Sequence, residues 1–291
     1  MTIQTMDARP PRFTTATRTR ALTVVRLTVT WIAAIALVGI PLYVIVLTAL
    51  KPADEARSVN IDLPSRIGLL ENLAIVIGDG EALRGFINSC IVTVPAIVVT
   101  LLLAASAAWI FGRARHRVPR VLYYLVITGI MLPPAIVATI RVLGVVGLDG
   151  TQLGLILFYC GTQIGGAVFL MTGFVKGIPY EMEEAARIDG ASALRILWSI
   201  ILPSLRPVIL VAGVYLMLTV WNDFFYAFFI LRDPDHRTMP LGLYGFAAAN
   251  MFQFNWSLIF TYVLLTSIPI VVAFLIAQKR IVSGLLGGIG K

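Results

Sequence analysis

Charge is scarce in this chain. Only 13% of its 291 residues are Asp, Glu, Lys or Arg, about half the share typical of a soluble domain, while 58% are apolar. Cysteine and histidine are nearly absent. Cys90 and Cys160 both lie inside apolar runs and belong to no CxxC pattern, so they read as small core residues and not as metal ligands or a disulfide. The only histidines, His116 and His236, fall in loops, which leaves a histidine metal site or a histidine base without support. There is no GxxxxGK[ST] phosphate-binding loop and no tandem repeat. The formal net charge is +8, yet no stretch interleaves base-stacking aromatics with a soluble basic face, which argues against nucleic acid as a partner.

Long apolar runs are what the chain has instead. Six are expected to span a bilayer as helices, at about 27–50, 86–111, 121–140, 152–175, 207–230 and 256–277. The runs are continuous and not alternating, which favours helices over barrel strands. The first run carries no charge and exceeds the roughly 7–15 residues of a signal-peptide core, so it reads as an uncleaved span. Prolines 41, 95 and 269 lie inside spans and are expected to kink them. Glycines 154, 161, 165, 166 and 173 in the fourth span read as points of close helix packing.

Lys and Arg set the orientation. Residues 1–26 form a basic tail, and with the loops after the second and fourth spans and the tail 278–291 they carry sixteen basic residues against seven on the other side. Both termini are therefore expected in the cytoplasm. The outer loops at 51–85 and 231–255 are long. The first is more acidic than basic, and the second carries a turn at Asp233–Pro234.

One inner loop, 176–206, breaks the apolar pattern. Pro179 suits the first turn of a short helix, and Glu181, Glu183 and Glu184 suit its positive end. Gly190 suits a left-handed C-terminal cap. Met182, Ala185, Ala186 and Asp189 fall on one stripe, a low surface that another protein can approach, with Glu184 beside it for a partner Arg. A second stretch is expected from an N-cap at Ser192 until Pro203 stops it.

Glu184-Ala185-Ala186, Gly190, Ile200, Leu202 and Pro203 resemble the EAA loop of permease subunits in binding-protein-dependent ABC importers, at every position of EAA-x3-G-x9-I-x-L-P. Thr48-Ala-Leu-Lys51-Pro52, Asn88-Ser89, Leu132-Pro133-Pro134, Trp221-Asn222-Asp223-Phe224 and Met239-Pro-Leu-Gly-Leu243 are similar to segments of the carbohydrate-uptake branch and its MalG-like subunit. The Arg115-His116-Arg117 run departs from that branch's aromatic-Arg-Phe pattern.

The resemblance implies an all-α integral membrane permease: a six-transmembrane-helix bundle in the MalG-type order, with a cytoplasmic coupling helix between the fourth and fifth predicted spans. It implies a second, MalF-like permease, an ATPase dimer, an extracytoplasmic solute-binding protein and membrane lipid as partners. ATP hydrolysis would occur in separate subunits, with no catalytic residue and no cofactor in this chain. Glu184, Ala185, Ala186, Asp189 and Gly190 would couple to the ATPase. Trp221, Asn222 and Asp223, about two thirds of the way out through the fifth span, read either as part of a sugar path or as a structural gate between helices. Arg141 reads either as a partner for a phosphorylated cargo such as glycerol phosphate or as a side chain reaching headgroups. A membrane enzyme would need convergent acids, nucleophiles or metal ligands, and an ion-coupled transporter a buried ionisable relay. The spans offer one carboxylate, Asp223.

Overall fold

The computed structural model describes residues 15–57, 59–249 and 255–289. Arg9 and Arg12 of the basic tail and the terminal Lys291 lie outside them. In chain order the helices are α1 (Thr15–Ala34), α2 (Ile40–Leu50), α3 (Leu69–Gly78), α4 (Ala82–Gly112), α5 (Arg117–Met131), α6 (Ile136–Val145), α7 (Gln152–Lys176), α8 (Glu181–Ile188), α9 (Ala193–Ile196), α10 (Leu202–Ser204), α11 (Arg206–Trp221), α12 (Phe225–Ile230), α13 (Met239–Ala249) and α14 (Trp256–Ile289). Among the described residues, four helical stretches are long and apolar enough to cross a membrane: Leu22–Leu50, Ala82–Gly112, Gln152–Lys176 and Trp256–Gln278. The number is six if each of two bent helix pairs is one span.

Proline leaves two different marks within these helices. Five-residue π turns, Ile35–Gly39 and Leu197–Ile201, stand immediately before helices that carry Pro41 and Pro203 near their starts. A proline ring crowds the carbonyl four residues back, and the wider π turn makes room for it. Pro95 and Pro269, in contrast, sit inside unbroken α4 and α14. Pro203 does not stop its helix either. The chain turns two residues later, at Leu205, where α11 sets off at 76° to the preceding stretch.

Two expected spans are not continuous. The run 121–140 breaks after Met131, and α6 leaves at 118° to α5. Pro133 and Pro134 lack two amide donors, and each holds the residue before it out of the helical region. The run 207–230 breaks after Trp221, and α12 restarts at Phe225. The loops 51–85 and 231–255, meanwhile, contain helices too short to span, α3 and α13.

The core is built on α4 and α7. Ala104, Ala105 and Ala108 of α4 are fully buried and pack in one cluster with Ala167, Val168, Met171 and Val175 of α7. Residues this small let two backbones approach closely, which substitutes for the hydrophobic drive that lipid does not supply. Gly165 serves the same end, because a Cβ there would lie 2.8 Å from the Val126 carbonyl oxygen of α5. Gly161, Gly166 and Gly173 do not, since a Cβ on each would meet nothing within 4 Å. α11 leans on α4 and α7, and α14 closes the bundle against α2, α3 and α11. The segment Thr48–Pro52 ends α2, and the buried Asn72 amide of α3 donates to the Ala49 and Lys51 carbonyls, at 3.0 and 2.8 Å. By comparison α1 is bare: from Leu22 to Tyr43 every side chain is exposed.

Candidate functional site

Both helix breaks open onto one cavity of about 570 Å³. Pro133 and Pro134 line one wall, and the middle of α7 supplies Phe158, Tyr159, Thr162 and Gln163. The end of α11 and the α11–α12 break supply Tyr215, Thr219, Asp223 and Tyr226. Non-helical backbone at membrane depth is tolerated where it borders such a space. Among the described residues the lining is aromatic, hydroxylic and aliphatic, with one carboxylate and no cation.

That carboxylate is committed. Asp223 Oδ2 accepts the Tyr159 hydroxyl at 2.7 Å and the backbone N–H groups of Tyr226 and Ala227 at 3.1 Å each. It thus ends the break by capping α12 and ties that half-helix to α7. A side chain that offers backbone donors an alternative partner is what interrupts a helix without proline. Its two neighbours go elsewhere. Trp221 is buried, its indole N–H donates to the Thr266 carbonyl of α14 at 3.0 Å, and its ring meets Phe86 edge-on at 5.8 Å. The Asn222 amide turns back to the Leu218 carbonyl at 2.9 Å. Of the three residues, only Asp223 borders the cavity. Arg141, exposed on α6, does not border it.

The second constellation lies on α8. Gly190 takes φ +78°, the left-handed conformation expected of its cap, and the Ala191 N–H bonds the Ala186 carbonyl at 2.9 Å. Ser192 accepts the Arg195 N–H at 3.3 Å as an N-cap. The two faces of α8 differ. Glu184, Ala185, Ile188 and Asp189 are exposed, whereas Ala186 is half-buried against the α4–α7 core. Ile188 is 86% exposed and Trp198, in the π turn that follows α9, 55%.

The inward face carries a residue that spacing alone does not distinguish. Glu183 is fully buried. Its carboxylate accepts from Trp109 Nε1 at 3.0 Å and Arg113 Nε at 2.7 Å, and Arg187 lies 3.7 Å away. Arg113 also donates to the Ile178 carbonyl at 2.8 Å. The guanidinium groups of Arg113, Arg115 and Arg187 surround the Tyr180 ring at 5.5–5.8 Å.

Residues 101–286 match the family described as binding-protein-dependent transport system inner membrane component. The multiple sugar-binding transport system permease protein MsmG of Streptococcus mutans is 31% identical over 258 residues, 87% of this chain and 91% of that protein. The diacetylchitobiose uptake system permease protein NgcG of Streptomyces coelicolor is 28% identical over 254 residues, 87% of this chain and 84% of that protein. In fold the chain is similar to a solved bacterial ABC transporter involved in the import of the acidic polysaccharide alginate. The TM-score is 0.76 at 20% identity, covering 93% of this chain and 99% of that one.

Proposed function

The chain belongs to the binding-protein-dependent transport system inner membrane component family, and on that premise we propose that it is the MalG-like half of a saccharide importer. It is a permease subunit of an ABC importer, works with an ATPase and does no chemistry of its own. Six spans with both termini inside, a MalF-like second permease and an external solute-binding protein complete the proposal. The bare apolar length of α1 is available to lipid and to the second permease.

The observation that carries the saccharide reading is the cavity beside the two helix breaks. Tyr159, Tyr215, Tyr226 and Phe158 offer flat apolar faces for sugar rings, and Thr162, Gln163 and Thr219 offer hydrogen bonds to hydroxyls. The relatives named for multiple sugars and diacetylchitobiose support the same class. A phosphorylated cargo has less support, because no cation among the described residues lines the cavity. Purification from native membranes should bring along an ATPase and a second permease. Proteoliposomes of that complex should take up oligosaccharide only with ATP and binding protein present. Uptake by this chain alone on an ion gradient would overturn the proposal.

In this reading α8 is the coupling helix, and Glu184, Ala185, Asp189 and Gly190 lie on the ATPase-facing surface with Ile188, while Ala186 seats the helix on the bundle. Ile188→Glu is expected to lower ATPase retention during purification about tenfold, a loss of about 1.4 kcal/mol of binding, with thermal stability unchanged because the side chain is 86% exposed in the free subunit. Full retention of the ATPase by Ile188→Glu and by Glu184→Lys would remove α8 from the contact.

A further inference from the structure

Glu183 is held unlike its neighbours. Glu181 and Glu184 face water on the same helix, while Glu183 is fully enclosed. A buried carboxylate persists only where donors replace its hydration. Two of those donors, Trp109 of α4 and Arg113 at its C-cap, stand one turn apart at the inner end of that one helix. Among the described residues, the polar side-chain contacts that tie α8 to the bundle run to these two groups, while the flanking Ile178 and Ala191 pack on the core by apolar contact. Displacement of α8 therefore enters the bundle through α4.

The opposite end of α4 is fastened as well. The Asn88 amide donates to the carbonyls of Asp235 at 2.7 Å and Arg237 at 3.0 Å, and its oxygen accepts from Gln152 of α7 at 2.9 Å. Ser89 Oγ accepts the Met239 N–H at 2.8 Å, and Arg84 pairs with Asp235 at 2.7 Å. These bonds bind α4 to the outer segment 235–239. Between Asn88 and Trp109 the helix is unbroken, a rise of about 32 Å that matches the hydrocarbon thickness. The other membrane helices lack such a double fastening among the described residues. α7 reaches α8 through Gly177, and α11 reaches it through the bend at Leu205 and a π turn.

We propose that α4 is the rod that carries the signal between the outer segment 235–239 and α8, with Asn88 and Ser89 its outer fastening and Trp109, Arg113 and Glu183 its inner one. The proposal rests on the importer reading and names how its two faces communicate. Coupling between distant sites needs a connected element that both sites bias, and double substitutions reveal it.

The test uses the whole complex in proteoliposomes with its cognate binding protein. The probe is whichever neutral di- or trisaccharide most raises that binding protein's melting temperature. The reading is the ratio of ATPase activity with loaded binding protein to basal activity. Glu183→Gln, Trp109→Phe and Asn88→Ala are each expected to lower that ratio about tenfold while co-purified ATPase stays within twofold. Trp109→Phe removes one neutral donor and keeps the packing, so it serves where Glu183→Gln fails to assemble. The double variant Trp109→Phe/Asn88→Ala should fall no further than the worse single variant, because one rod is severed only once. Unchanged ratios in the single variants, or losses that multiply in the double, would overturn the proposal. So would a fall in co-purified ATPase parallel to the fall in ratio, since Glu183 would then only shape the docking surface. A wild-type complex with no stimulation at all would instead defeat the importer reading itself.

Discussion

Asp223→Ala should abolish ATP-driven uptake to within about one hundredth of wild type, while Asp223→Asn should keep it within about threefold. Alanine leaves the Tyr159 hydroxyl and the Tyr226 and Ala227 N–H groups without their acceptor. Each unmet donor costs about 1–3 kcal/mol. The break is partly open to the cavity, so water meets some of that demand, and a total of about 3–5 kcal/mol is expected. That is enough to release α12 from α7 and deform the cavity wall. Asparagine keeps one oxygen, which placed where Oδ2 stands accepts from all three donors. Thermal unfolding of the purified complex and uptake into proteoliposomes read the two effects separately. An asparagine variant as inactive as the alanine one, at wild-type stability, would show that the negative charge itself meets the cargo.

The expected behaviour of Asp223 marks where sequence reasoning ran out. Its place in an apolar run was plain, and a lone carboxylate there had to face protein or water. Its partners were not, because Tyr159 stands 64 residues earlier and nothing local announces the pair. Without that partner the run 207–230 reads as one helix. The other break was written more openly. Leu132-Pro133-Pro134 carries two prolines in succession, yet hydropathy over a window of span length averages across them, and the run 121–140 stays apolar throughout. The short helices α3 and α13 were lost in the opposite way, being too brief to register as spans.

The loop 176–206 divides along the same line. Gly190 and Ser192 act through their own backbone neighbours, so turn chemistry alone foretold the left-handed cap and the N-cap. The two faces of α8 depend on what lies behind it. Three glutamates in one turn are equivalent to a reader of spacing, and Trp109 and Arg113, which choose Glu183 among them, lie 74 and 70 residues upstream. Asn88-Ser89 is a similar case. The pair stood out by resemblance, and its role became physical only when the segment about 150 residues later came to rest on it.

Gly112→Val is the second substitution expected to be severe, at about 3 kcal/mol of stability, and it is open to repair. A Cβ on Gly112 would lie 2.6 Å from Val175 Cγ1 and 3.0 Å from Val175 Cβ. Val175 is fully buried and β-branched, and such a side chain has essentially one rotamer in a helix, so it cannot swing aside. The ends of α4 and α7 must part, and overpacking of this kind costs about 1–3 kcal/mol before any lost contact is counted. Val175→Ala alone should cost about 1–2 kcal/mol through the space it leaves. Combined with Gly112→Val it should return at least about 1 kcal/mol, because the space is where the new side chain needs it. Thermal unfolding of the four proteins closes the cycle, and a double variant less stable than Gly112→Val would refute a direct contact. The damage should not stop at stability. Gly112 adjoins Arg113 and lies three residues from Trp109, so parting α4 from α7 moves both donors that hold Glu183. Gly112→Val should therefore lose stimulation of the ATPase at temperatures where the complex is still folded, and Val175→Ala should restore the two properties together.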